Sequence, residues 1–271
     1  MSKSIGFLLL LPVLMAGCQS FHSESGLVRL ESSKECSSDL AAALIAKPGE
    51  LGNSSDTQTL ACALSALRES GDSAVLRTSL GSRLCLLLAE RQTLQNDREK
   101  LAEEGVNFAE IALSRGGDDD GAVHYYLAAN LGLAVRDNIT LAFANLGRLE
   151  TEMKRALELS PNLDDGGPMR LLGALYLKAP AWPNGIGDID KALELLEQAV
   201  REHPEHPLNH LFLAQALWAQ GDDVDLGRIK TEFSLGENYL NDGLWGYRKE
   251  PWKKEFDKFR LEFIEAEAER L

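Results

Sequence analysis

Small and large side chains recur in a fixed register through the second half of this sequence, and that register restricts what the chain can become. Gly173, Ala192 and Ala199 are small, Leu172, Tyr176 and Leu196 are large, and Pro204 closes the stretch. The next stretch continues with His210, Leu213, Ala214, Leu217 and Gly221, while the preceding one ends at Ala156 and Pro161, five apart like Ala199 and Pro204. Small residues let two helices approach closely, larger ones fill the space between successive pairs, and a proline ends a helix. A helix pair of this kind cannot bury its apolar face alone, so it must stack on further pairs.

The rest of the chain agrees. No alternating β-branched run bounded by turn residues occurs, so strands are not expected. Apolar periodicity and breakers predict helices at Ser38–Ala46, Asp56–Arg68, Ser73–Gln92 and Asp97–Leu113, then at 122–135, 139–159, 167–178, 188–202, 207–219 and 223–239. A last helix over 251–270 carries Trp252, Phe256, Phe259 and Phe263 at spacings of 4, 3 and 4, a single apolar stripe. Residues 169–204 resemble the tetratricopeptide repeat (TPR): Met169 stands at the position of the large ring, Leu172-Gly173 and Tyr176 match, and Ala192, Leu196, Ala199 and Pro204 keep the mutual offsets. The expected fold is therefore an all-α, TPR-like helical-repeat solenoid over 36–271, with repeats at 122–161, 167–204 and 207–240. Towards the N-terminus the pattern decays, although Ala102 and Ala109 keep the spacing of seven.

The N-terminus reads as an export signal. Lys3 precedes a short apolar run, Ile5 to Val13, and Met15-Ala16-Gly17 precede Cys18. The run is too short to span a bilayer. Small residues before a Cys resemble the lipobox of bacterial lipoproteins. That resemblance implies removal of residues 1–17, a lipid on Cys18 and a Ser-rich tether to residue 35. Gln19 in place of Asp implies the outer membrane, periplasmic face, with the inner membrane as the alternative. The whole chain carries a net charge of −14, and loss of Lys3 takes it to −15. Nucleic acid and anionic lipid surfaces are thus poor partners, which leaves the lipid anchor as the membrane contact. Of the remaining cysteines, Cys85 lies in the apolar run Leu84–Leu88, where a thiol behaves as a small hydrophobe. Cys36 and Cys62 are the preferred disulfide.

An insertion separates Tyr176 from Ala192: Lys178-Ala179-Pro180-Ala181-Trp182-Pro183-Asn184-Gly185-Ile186-Gly187-Asp188. With Asp164-Asp165-Gly166-Gly167-Pro168 upstream, Asn209-His210-Leu211-Phe212-Leu213-Ala214 downstream, and Tyr125-Tyr126-Leu127-Ala128-Ala129-Asn130, it resembles the TatT component family over about residues 120–220. These are TPR lipoproteins associated with tripartite ATP-independent periplasmic (TRAP) transporters. The resemblance implies a helical solenoid that binds a periplasmic solute-binding protein and a small carboxylate-bearing or apolar solute. It also implies oligomers, and no enzymatic residue to carry over. A scaffold for envelope assembly or cell-wall machinery is the alternative function.

No nucleophile–base pattern and no phosphate-binding loop occurs, so neither catalysis nor a cofactor is expected. His203, His206 and His210 flank a turn and share no helical face, which makes a metal site a poor reading. Asp118-Asp119-Asp120 reads as a loop that caps a helix. Asp164 and Asp165 lie before a helix start, with ligand binding as the second reading. TPR solenoids line their concave face with the first helix of each pair. The register places Tyr126 and Asn130, Arg170, and Gln215 and Trp218 there. With Asp164, Asp165 and Trp182 they form the candidate binding set, Arg170 as partner for a carboxylate.

Overall fold

The structure is a computed structural model that describes residues 36–221 and 225–269. The signal, Cys18 and the tether lie outside the described residues. Eleven α-helices follow one another among those described, with no strand; one isolated bridge joins Ala181 to Gly187 in the insertion. They are α1 (Ser38–Ala46), α2 (Thr57–Ser70), α3 (Val75–Ala89), α4 (Gln95–Ser114), α5 (Gly121–Val135), α6 (Ile139–Leu159), α7 (Gly167–Lys178), α8 (Ile189–Glu202), α9 (Pro207–Ala219), α10 (Leu226–Asp242) and α11 (Lys249–Glu269).

The breakers do more than interrupt. Asp56, Asp120, Asn138, Asp188 and Asp225 each stand just before a helix and accept a backbone N–H of its first turn, as Asp56 does from Thr59 at 2.8 Å. Such a cap contributes about 1 kcal/mol by satisfying an otherwise orphaned donor. Pro168 and Pro207 sit in the first turns of α7 and α9, where no hydrogen bond is lost.

The helices form a solenoid. Each packs on its neighbours in sequence, and α3, α5, α7 and α9 also touch in series, first helix to first helix. Small residues bring successive helices into close contact. A Cβ at Gly173 would lie 2.7 Å from Leu196 of α8, and one at Gly105 would lie 2.4 Å from Asn130 of α5. The core is accordingly a chain of local clusters. One joins α2, α3 and α4 around Leu60, Leu84 and Leu101, another joins α5 to α8 around Tyr125, Leu172 and Tyr176, and a third joins α8 to α11. The aromatic stripe of α11 is buried there: Phe256 and Phe259 meet Phe233 at 5.5 and 5.7 Å, and Phe263 meets Trp218 edge-on at 5.1 Å. Cys36 and Cys62 are disulfide-bonded, their Cα atoms 5.6 Å apart, and Cys85 is free and buried.

The segment between α10 and α11 returns to the start of the array. The Tyr247 N–H donates to Asn53 O at 3.3 Å, Arg91 lies 4.1 Å over the Tyr247 ring, and Arg248 donates to Glu90 at 2.9 Å. The Gly173–Leu196 contact makes a direct test of helix pairing. Gly173→Leu is expected to destabilise the chain by about 1–3 kcal/mol through overpacking, read from urea unfolding. An unchanged midpoint would mean that α7 and α8 are not packed this way.

Candidate functional site

The inner helices shape two kinds of hollow. A groove of about 540 Å³ runs between α5, α6 and α7. Ala128, Gly132 and Ala174 line it with little bulk, and Leu133, Leu146 and Leu175 line it with apolar side chains. Ile139 is 75% exposed and Phe143 44% exposed, both on α6. Among its lining residues only Arg136 and Lys178 carry charge. The second kind is polar: cavities of about 310 and 200 Å³ that share Asn53, Leu87 and Arg248.

Beside the polar cavities lies a buried charge network, built on a turn the sequence makes costly. Asp164, Asp165 and Gly166 all have left-handed backbones, with φ of 52°, 52° and 79°. Left-handed geometry costs a non-glycine residue roughly 1–2 kcal/mol. Arg170, one turn into α7, offsets that cost. Its guanidinium donates to Asp164 O and Asp165 O, both at 3.0 Å, to the Asp164 carboxylate at 3.1 Å and to Asn209 Oδ1 at 3.0 Å. Asn209 passes the connection on, donating to His203 O at 2.9 Å. The Asp164 carboxylate also accepts the Tyr125 hydroxyl at 2.7 Å and Arg248 at 3.2 Å.

These contacts set the charge states. Burial raises the Asp164 pKa, but Arg248, Arg170 and the Tyr125 hydroxyl outweigh it and hold the group at about 2. Burial likewise opposes the charge on Arg248, yet Glu90 and Asp164 hold its guanidinium above its usual range. His206 packs against both Trp245 and Trp252, 5.4 and 5.0 Å away, and its Nδ1 has no hydrogen-bond partner among the described residues. Burial first, then the Arg170 charge, pushes its pKa down to about 2.

The structure brings Arg170, Asp164 and Asp165 together, with Tyr126 lining the 200 Å³ cavity beside Asp164. It separates the others. Trp182 stands 85% exposed in the insertion. Gln215 is half-buried on α9, and Trp218 is half-buried against Phe263. Two expectations need correction. Arg170 is 3% exposed and Asn130 is fully buried; neither presents itself to a ligand. Asn130 donates to Ser82 O at 2.9 Å and Arg170 is consumed by the turn. The loop before α7 folds over its first turn and takes the Arg170 guanidinium. The sequence reading missed Arg248, Glu90, Arg91 and Arg98, which belong to no repeat register.

The histidines also have defined places. His210 bonds Glu232 at 2.7 Å and Pro204 O at 2.6 Å, and His203 bonds Asn162 at 3.1 Å. Among the described residues no group of three His, Cys, Asp or Glu side chains has a metal-holding arrangement. Asp120 caps α5 and Asp119 pairs with Arg155 at 3.0 Å.

The tetratricopeptide repeat pattern matches residues 187–225, which span α8, α9 and the turn between them. The chain contains a TPR repeat. Repeats of this kind carry protein–protein contacts, and the all-helical fold around this one is typical of binding scaffolds rather than enzymes. No curated protein is similar to the chain at a significant level.

Two outcomes follow for the network. Arg170→Ala leaves Asp164, Asn209 and the strained turn uncompensated, so it is expected to cost about 3–5 kcal/mol of stability in urea unfolding; a loss under 1 kcal/mol would refute the role given to Arg170. His206 starts from an ordinary pKa of 6.5 and sits at about 2 in the fold. Between those values the unfolded chain takes up a proton that the native chain does not. Stability therefore falls as pH drops below 6.5, by up to about 1.4 kcal/mol per pH unit. Asp164, depressed from 3.8 to about 2, adds a loss only below 3.8. His206→Phe keeps the ring contacts and should remove about 2 kcal/mol of the loss between about pH 7 and pH 5. Parallel unfolding curves for both proteins at the two pH values decide this.

Proposed function

We propose that this chain is a periplasm-facing TPR lipoprotein, anchored through Cys18 to the outer membrane. In this reading it serves a TRAP-type transport system by engaging a solute-binding protein, a small solute, or both, and it performs no chemistry of its own. The observation that carries this reading is the apolar groove between α5, α6 and α7, with Phe143 and Ile139 left in solvent beside it. Exposed apolar side chains at the edge of a groove are what a partner surface or an apolar solute would cover. The insertion that carries the family resemblance begins at the groove's edge, since Lys178, Ala179 and Pro180 line it, and it holds exposed Trp182. The TPR match supports the protein-partner half of the proposal.

Cys18 acylation is read by mass spectrometry of the membrane fraction; an unlipidated mature N-terminus elsewhere removes the anchor from the proposal. The binding half is tested by calorimetric titration of the chain with a TRAP-type solute-binding protein from the same genome. Phe143→Asp places a charge at the groove while altering a half-exposed side chain. It is expected to weaken binding at least about tenfold, ~1.4 kcal/mol, with little change in melting temperature. If the wild type binds neither that protein nor any small solute, the transport reading fails and an envelope-assembly scaffold takes its place.

A further inference from the structure

The smaller polar cavity, about 200 Å³, gathers three polar groups whose bonding the fold leaves incomplete. Asn53 Oδ1 is buried and accepts no hydrogen bond among the described residues. The Tyr126 hydroxyl of α5 donates to none of them either, although its ring is held edge-on against Tyr125 at 5.2 Å. Arg83 of α3 has no carboxylate within ion-pairing reach among the described residues, and its one hydrogen bond goes to Pro48 O at 3.3 Å. All three line this cavity, and Asp164 and Arg248 complete its polar wall. A buried acceptor left bare costs about 1–3 kcal/mol, and a guanidinium without a counter-charge attracts an anion.

The incomplete groups ask for opposite things. Arg83 and Tyr126 are donors and call for a negative oxygen. Asn53 Oδ1 is an acceptor and calls for a hydrogen. So does Asp164, whose Oδ2 accepts from Tyr125, Arg170 and Arg248 while its Oδ1 accepts only from Arg248, at 3.2 Å. Arg170 and Arg248 are matched by Asp164 and Glu90, so the uncompensated charge is that of Arg83. A fully deprotonated oxyanion, sulfate or a carboxylate, would satisfy the donors but face Asp164 and Asn53 Oδ1 with bare oxygens. An oxyanion that keeps a proton satisfies both sides. Arg83 is also set in place beforehand, with Nη1 on Pro48 O and Nη2 3.8 Å from where a Cβ at Gly52 would stand. Its planar fork therefore loses little freedom on binding.

We propose that this cavity binds a phosphate group, either inorganic phosphate or the head of a small phosphomonoester. Its charged oxygens lie on Arg83 and the Tyr126 hydroxyl, and its P–OH donates to Asn53 Oδ1 and Asp164. The adjoining cavity of about 310 Å³ shares Asn53, Leu87 and Arg248 with this one and leaves room for the body of an ester. No residue that lines the phosphate cavity lines the apolar groove. The inference therefore goes beyond the functional reading above and stands or falls without it.

The probes are inorganic phosphate, sulfate and glycerol phosphate, each titrated calorimetrically into the full chain at about pH 6, where about half of a phosphomonoester keeps its second proton. Phosphate should bind saturably, and sulfate, which has no proton to donate, at least about tenfold more weakly. Arg83→Gln should lower phosphate affinity at least about tenfold, and Tyr126→Phe at least about threefold, both at unchanged melting temperature. No saturable phosphate binding, sulfate binding as tight as phosphate binding, or full affinity in either folded variant overturns the site. Should Arg83→Gln unfold, Tyr126→Phe and the phosphate–sulfate comparison decide. Glycerol phosphate binding at least as tightly as inorganic phosphate assigns the head of an ester, and binding about tenfold more weakly assigns the free ion; both uphold the phosphate site. Phe143→Asp, which alters only the groove, should bind phosphate as the wild type does. A loss of about tenfold there would move the anion to the groove and overturn this site, whereas failure of the solute-binding protein to bind leaves it standing.

Discussion

Asp164 places one carboxylate where three distant segments of the chain meet. It accepts the Tyr125 hydroxyl from α5, the Arg170 guanidinium from α7 and the Arg248 guanidinium from the segment before α11. Two cations around one anion leave positive charge over, and each cation finds a second acceptor. Arg170 takes Asn209 of α9, and Arg248 takes Glu90 at the end of α3. Low dielectric makes such a network strict, because removing one member leaves a buried charge without its counterpart. The turn at Asp164–Gly166, the start of α7 and the return of the chain to α3 therefore stand together.

The distribution of charge gives the molecule two faces with different chemistry. The surface is acidic overall, and its field decays over about 8–10 Å at physiological salt. The interior cavities are instead lined by Arg83, Arg91, Arg98, Arg136 and Arg248. Aromatic and aliphatic side chains dominate the adjoining groove, where only Arg136 and Lys178 are charged. The exposed edge of α6 and the arginine-lined recess are therefore chemically distinct surfaces.

Much of this was legible in the sequence, for reasons that particular residues explain. Helix ends were local events: Asp120, Asn138 and Asp188 cap helices within three residues of themselves, and the bounds of α6, α7 and α9 were read from the sequence without error. Helix pairing was legible because Gly173 and Leu196 occupy the offsets that their contact needs. The site was less legible. Arg170 lies on a helix that the periodicity predicts, but its destination depends on a left-handed loop that no periodicity announces. Arg248 reaches Glu90 across 158 residues and Asp164 across 84, and no spacing rule links such positions. The arginine cavity is assembled from α3, α4, α5 and the start of α11, so it exists only once the array has curved far enough to bring them together.

The return of the Trp245–Arg248 segment to Asn53 and Glu90 has a consequence for the array as a whole. An open solenoid is quasi-one-dimensional: each repeat depends on its neighbours, so units are gained, lost or frayed at the ends with little effect elsewhere. Here the segment between α10 and α11 is a structural neighbour of Asn53 and of the end of α3. Curvature per repeat and the number of repeats are then no longer independent. Adding or deleting a helix pair would carry Arg248 past its acceptors and leave it charged and unpaired. The described array is tied across its opening by this one segment, and its length is coupled to the residues that shape its interior.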